Sequence, residues 1–323
     1  MLRAAILTYL LAQKCNAWSG PVLSDSRDGL SRRSLLTSAP VALAFVGGNH
    51  PAWADGEVEV MASGDAKKLF NEGRALESQG NMAAAQRLYA KVTKISPRFI
   101  YGWSNLGNTQ TAFGDLDAAE ESYSTAIDLC NENLATTQEG FGQRRCSDQY
   151  ILLLNRGSLR LNNGRPKEAL ADLQQASIAR GRPDAIILQN LARAKELNGL
   201  YGQADRDYTT AISMTANEVN PFWIRSAMVK FQLGDVQGGF DLLKRVENRF
   251  PEAPEVRAAY ATFLAAKDKQ IEAQRKYLEI PDRQRLKFVD PDYLTKTIAW
   301  PPAMREQLAK ISKAVGDSAP VTI

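Results

Sequence analysis

The chain has 323 residues, 44% of them hydrophobic and 24% charged, with a formal net charge of +4; this is an ordinary globular composition, and no apolar run reaches the roughly 18–20 residues a membrane-spanning helix needs. Residues 1–54 hold five basic and two acidic groups, leaving 35 basic and 34 acidic ones beyond them, which argues against a nucleic-acid binder held mainly by phosphate neutralisation. The one histidine, His50, lies in the same leading stretch, so everything after it lacks the commonest general base and transition-metal ligand.

Residues 1–17 read as a secretory signal: Arg3, the apolar run Ala4–Ala12, then Cys15-Asn16-Ala17 with small side chains where a peptidase cuts. Residues 18–30 begin with Trp18 and are rich in Ser and Gly. Residues 31–54 carry Ser31-Arg32-Arg33-Ser34-Leu35-Leu36, a modest apolar segment Ala39–Gly47, and an A-x-A site at Ala52-Trp53-Ala54. Paired arginines ahead of a weakly apolar core resemble a twin-arginine export signal. The stack of signal, transit region and twin-arginine signal resembles the leader of a plastid protein in an alga of secondary origin, which implies the thylakoid lumen as destination. Residues 55–65 follow as a linker.

Between residues 66 and 280 six segments align with one another. The small residue of each second helix falls at Ala85, Ala119, Ala169, Ala204, Gly239 and Ala273, at intervals of 34, 50, 35, 35 and 34. An insertion of about 16 residues, at 131–149, accounts for the one long interval. A second small residue recurs in the first helix at Gly73, Gly107, Gly157, Ala192, Ala227 and Ala261. Two small residues let paired helices approach closely, and apolar side chains at i, i+3, i+4 and i+7 fill the seam. Gly-Asn or Gly-Asp between them supplies a left-handed turn and starts the next helix.

This pattern resembles the tetratricopeptide repeat. The resemblance implies an all-α, right-handed α-solenoid of about six helix-turn-helix units, whose first helices line a concave face. The pentatricopeptide repeat, an RNA reader of nearly the same period, is usually more basic and lacks this Gly/Ala-Ala-Tyr spacing.

One first-helix slot holds Asn71, Asn105, Asn155 and Asn190, then Arg225 and Ala259. Asparagine both donates and accepts, so a ladder of four is expected to clamp the backbone of an extended peptide without reading its sequence. Tyr101, Asn108, Ile151, Leu154, Arg193 and Phe231 are assigned to the same wall. The apolar members suggest a covered surface, under either a partner segment or the chain's own tail. The lysine-based clamp that chaperone-binding repeats use for a terminal carboxylate is not reproduced, since its slots hold Phe70 and Ile151.

Cys130 and Cys146 bracket the insertion, and an even pair in an exported protein reads as a disulfide candidate. Closing a loop of about 15 residues stabilises by roughly 3 kcal/mol in the chain-entropy model. From residue 281 to 323 the repeat signature stops. Trp300-Pro301-Pro302 opens a last helix with Met304, Leu308, Ile311 and Val315 on one side, which serves either as a cap for the last repeat or as a partner-docking helix.

These features point to a non-enzymatic, monomeric adaptor that binds a protein or peptide segment in its groove. They imply no cofactor, metal or nucleic acid, and no membrane span in the mature form. The leader puts the adaptor in the thylakoid lumen, assisting assembly or maintenance of a photosynthetic complex. A self-associating structural repeat is the alternative, and the capped C-terminus argues against it. With no phosphate loop, metal-ligand cluster or G-x-S-x-G elbow, an enzyme is not expected.

Overall fold

The computed structural model describes residues 64–135, 146–215 and 218–316. The leader at 1–54, nearly all of the linker and most of the insertion lie outside the described residues. Among the described residues the regular structure is helical throughout, and they divide into two compact units, 64–182 and 183–316.

The first unit contains three helix pairs: α1 (Gly64–Ser78) with α2 (Met82–Ile95), α3 (Ile100–Phe113) with α4 (Leu116–Ala135), and α5 (Gln149–Asn162) with α6 (Pro166–Arg180). The turns follow the expected chemistry. At Gly114, φ is +79° and the amides of Gly114 and Asp115 both reach back to the Gln110 carbonyl, a left-handed stop that a side chain would strain. Asn81 caps α2 by accepting from the Ala84 amide at 3.3 Å. The small-residue rule appears as direct contact: a Cβ on Gly107 would lie 2.8 Å from the Tyr123 ring, and one on Gly73 would lie 2.7 Å from Tyr89. Both tyrosines are fully buried. Neighbouring pairs are joined by Phe70 against Phe99, edge-on at 5.0 Å. A charge network joins the later pairs, with Arg160 bonding Glu120 and Asp172, each at 2.9 Å.

The second unit holds α7 (Ala185–Leu197) with α8 (Tyr201–Met214), α9 (Trp223–Gln232) with α10 (Val236–Arg249), and α11 (Pro254–Ala266) with α12 (Gln270–Leu278). Its last turn departs from the pattern: Asp268 stands in the left-handed position, at φ +59°, a conformation aspartate tolerates better than most residues. The tail then forms a short α13 (Asp282–Arg285), a 3-10 turn (Leu286–Val289), a π-turn (Tyr293–Thr297) and α14 (Pro302–Ala314). Phe288, Leu294, Ile298, Trp300, Met304, Leu308 and Ile311 are buried in the same core cluster as the last two helix pairs. The tail is therefore a helical cap on the final repeat, with Val315 packed at its margin.

Helical glycines in the two kinds of setting should respond oppositely to a methyl group. A Cβ on Gly239 would sit 2.8 Å from the Ala227 carbonyl oxygen and 2.8 Å from the Phe263 ring, whereas one on Gly202 meets nothing within 4 Å. Gly239→Ala is expected to destabilise by about 1–3 kcal/mol. Gly202→Ala is expected to stabilise by up to about 1 kcal/mol. Urea denaturation of the two variants against wild type measures both.

Candidate functional site

In the first unit, α3 and the start of α5 form one cleft. It is lined by Ile100, Tyr101, Ser104, Asn105, Asn108, Cys146, Asp148, Ile151, Leu152 and Asn155. The sequence-predicted Tyr101, Asn105, Asn108, Ile151 and Asn155 are thus brought together. The cleft encloses about 40 Å³, well below the roughly 300–1,000 Å³ of small-molecule sites. It suits a strip of backbone or one side chain.

Hydrogen bonding makes this wall rigid. The Tyr123 hydroxyl donates to Asn108 Oδ1 at 2.8 Å, and Asn155 Nδ2 donates to the same oxygen at 3.2 Å. The Tyr101 hydroxyl donates to Asp148 Oδ2 at 3.2 Å. Asn105 hydrogen-bonds the Tyr89 hydroxyl, which itself donates to Glu77 Oε2 at 2.7 Å. Burial, and then the Glu77 charge, push the Tyr89 pKa far above its ordinary value, so this chain of bonds keeps its protons near neutral pH. Asn155 is 2% exposed, and its Oδ1 has no hydrogen-bond partner among the described residues. A buried acceptor in that condition costs about 1–3 kcal/mol. Cys130 in α4 is bonded to Cys146 at the cleft edge, with Cα atoms 5.6 Å apart, and the link ties α4 to the start of α5.

The remaining predicted residues fall elsewhere. Asn71 is exposed on α1, outside the cleft. Leu154 is buried within the repeat packing and does not line the cleft, correcting its place on the wall. Phe231 is likewise a core residue, packed edge-on against Phe263 at 4.8 Å. Asn190 lies in the second unit and donates to the Ile186 carbonyl of its own helix at 2.9 Å. It is one rung of the expected ladder turned inward.

The second unit has a different wall, and the tail lies on it. Arg225, in phase with the asparagines, donates from Nη1 to the Ile298 carbonyl at 3.1 Å and from Nη2 to the Ala299 carbonyl at 2.6 Å. Arg193 reaches the Ile298 carbonyl at 3.4 Å, and Gln232 Oε1 accepts from the Ala303 amide at 2.9 Å. The Trp300 indole donates to Glu255 Oε1 at 3.0 Å. Arg225 also pairs with Glu196, to which Arg193 and the Tyr208 hydroxyl bond as well. Sequence reasoning left Glu196, Gln232, Glu255 and Trp300 off the wall. The available signal was an arginine standing in the asparagine slot with an acid one helical turn after Arg193.

The pKa values of the two acids shift in opposite directions. Burial would raise both pKa values. At Glu196 the Arg193 and Arg225 guanidiniums overcome it and hold the carboxyl below its ordinary 4.5. At Glu255 burial prevails over Arg225 and the indole bond, and the pKa is raised. Among the described residues no group of three or more His, Cys, Asp or Glu is placed to hold a metal ion, and no helix is long and apolar enough to cross a membrane.

Residues 70–133 match the family model described as tetratricopeptide repeat. Among solved structures the chain is similar to PilW, a widely conserved type IV pilus biogenesis factor, at 14% identity over 76% of this chain and 100% of that one, with a TM-score of 0.54. It is similar to the APC/C hetero-tetramer Cut9–Hcn1 at 16% identity over 76% of this chain and 42% of that one, also with a TM-score of 0.54. MamA from Desulfovibrio magneticus RS-1 gives 14% identity over 58% and 96% of the two chains, at a TM-score of 0.49. No curated protein sequence matches. The first two likenesses bear on the fold, which is a solenoid of the tetratricopeptide type.

The signs of the two acid shifts lead to opposite variants. Glu196 contributes stability that is present above 4.5 and lost as pH falls through its lower folded value. Glu255 contributes in the reverse sense, favourably only at low pH, so its ionisation is a cost near neutrality. At pH 7, Glu196→Gln is expected to destabilise by about 3–5 kcal/mol, as for a broken buried pair. Glu255→Gln keeps an acceptor for the indole and should change stability by less than about 1 kcal/mol. Thermal unfolding of each at pH 5 and pH 7 checks the order.

Proposed function

We propose that the protein is a non-enzymatic scaffold acting as a single chain, which holds an extended segment of a partner protein in the cleft between α3 and α5. The observation that carries this reading is Asn155. It is a buried amide that lines the cleft, with an acceptor oxygen lacking a partner among the described residues. Rotation of this amide into the cleft would let a partner's backbone N–H satisfy the oxygen, while Asn105 lies alongside on the same wall. The cleft is too small for a drug-sized ligand, and repeat proteins of this type generally serve as interaction scaffolds. The tail of the second unit offers an internal precedent, since there the same slot bonds to main-chain carbonyls.

The location we propose, the thylakoid lumen, rests on the stacked leader, and the role in assembly or maintenance of a photosynthetic complex rests on that location. The cysteine pair supports an oxidising destination, because such bonds persist outside reducing compartments.

Affinity purification from illuminated thylakoids tests both parts. The mature wild-type protein is expected to retain lumen-exposed subunits of a photosynthetic complex. An Asn105→Ala/Asn155→Ala variant of wild-type melting temperature should lose them at least tenfold. Recovery of stromal or cytosolic proteins alone refutes the location. Equal recovery by the variant refutes the cleft.

A further inference from the structure

We propose that the wall of the second unit is itself a binding site for a segment of the form aliphatic–small–Trp–Pro–Pro that turns at its small residue. Residues 298–302 of this chain are its resident occupant, exchangeable for the same chemistry supplied by another protein. This site is separate from the cleft of the first unit and does not depend on it.

The contacts divide as they do in peptide grooves, with main-chain bonds for affinity and pockets for specificity. Arg225 and Arg193 bond to main-chain carbonyls, which any peptide segment carries, here presented by the turn at Ile298 and Ala299. Selectivity comes from the pocket for Trp300, which is 3% exposed and whose indole N–H finds Glu255. Pro301 itself sits in the polyproline region, at φ −58° and ψ 149°, before Pro302 opens α14, and its ring pre-sets φ, which reduces the entropy lost on binding.

The resident segment is not the best occupant of its own site. Ala299 sits at φ +48°, in the left-handed region where a Cβ is strained and glycine is not. A π-turn, Tyr293–Thr297, immediately precedes it, and such turns recur at functional sites. Beyond the segment, α14 keeps its own anchors, Met304, Leu308 and Ile311, in the core. On this proposal residues 298–301 exchange while those three anchors keep α14 docked, and the exchange must replace the burial of Ile298 and Trp300 in the same cluster. A competing segment with glycine in place of Ala299 avoids the strain.

The test uses the full chain and a fluorescein-labelled peptide of residues Lys296–Met304, followed by fluorescence anisotropy, with thermal unfolding to confirm that each variant is folded. Trp300→Ala removes the resident anchor. The folded variant is expected to bind the peptide saturably, at least about tenfold more tightly than wild type does. It should not bind a peptide with alanine for tryptophan, and should bind one with glycine for Ala299 several-fold more tightly. Should Trp300→Ala unfold, Ala299→Val, which worsens the left-handed strain without removing the indole, serves in its place with the same expectation. A folded variant that ignores the peptide overturns the proposal, as does equal binding by wild type and variant.

Discussion

In the first two helix pairs a tyrosine ring lies over a glycine of the facing helix, at a distance no Cβ would allow. Gly239 meets the Ala227 carbonyl in the same way in the fifth pair. This close approach is the constraint on which the architecture depends. It brings second-helix residues such as Tyr123 within reach of first-helix polar groups such as Asn108. The buried hydroxyl then needs an acceptor, since leaving it unpaired costs more than the bond gains. The groove-facing asparagine network is thus fixed from behind, by the residues that let the helices pack.

The same slot does different work in the two units because its side chain changes. Asn155 is neutral, and an amide facing a cleft is tolerated at modest cost. Arg225 is a charge only 5% exposed, and a buried guanidinium needs nearly all its donors met. Glu196 pairs with its charge, Glu255 stands 3.8 Å away, and the Ile298 and Ala299 carbonyls take remaining donors. The tail is part of the electrostatic solution of that wall as well as a cover for its apolar seam.

Much of this was readable in the chain. The period, the small residues, the Gly-Asn and Gly-Asp turns and the apolar face of the last helix all come from local rules, and the helices obey them. The sixth turn was weaker because Asp268 replaces glycine there. What could not be read is which exposed-looking face a distant segment covers. Helical phase puts Leu154 and Phe231 toward a wall but does not reveal what packs over them. Arg225 meets Ile298 across 73 residues, and Asn155 meets Asn108 across 47, with the insertion between them. No periodicity carries that information.

These differences set which wall can exchange its ligand freely. Removing a segment from the first wall would leave the Asn155 acceptor unpaired, a cost of about 1–3 kcal/mol, so on the proposed reading the first unit releases a partner more cheaply than the second. Removing the tail from the second wall leaves Arg225 beside two acids in a poorly hydrated site, an arrangement that costs several kcal/mol unless replacement carbonyls arrive together with the departure. Exchange there has to be concerted, with the incoming backbone taking each donor as the outgoing one gives it up. A segment of different shape, unable to reach both nitrogens of Arg225 and the Trp300 pocket at once, has no low-energy route in. Buried charge makes the second wall selective, whereas the first, where the half-buried Asp148 is the one charged lining residue, discriminates chiefly by shape.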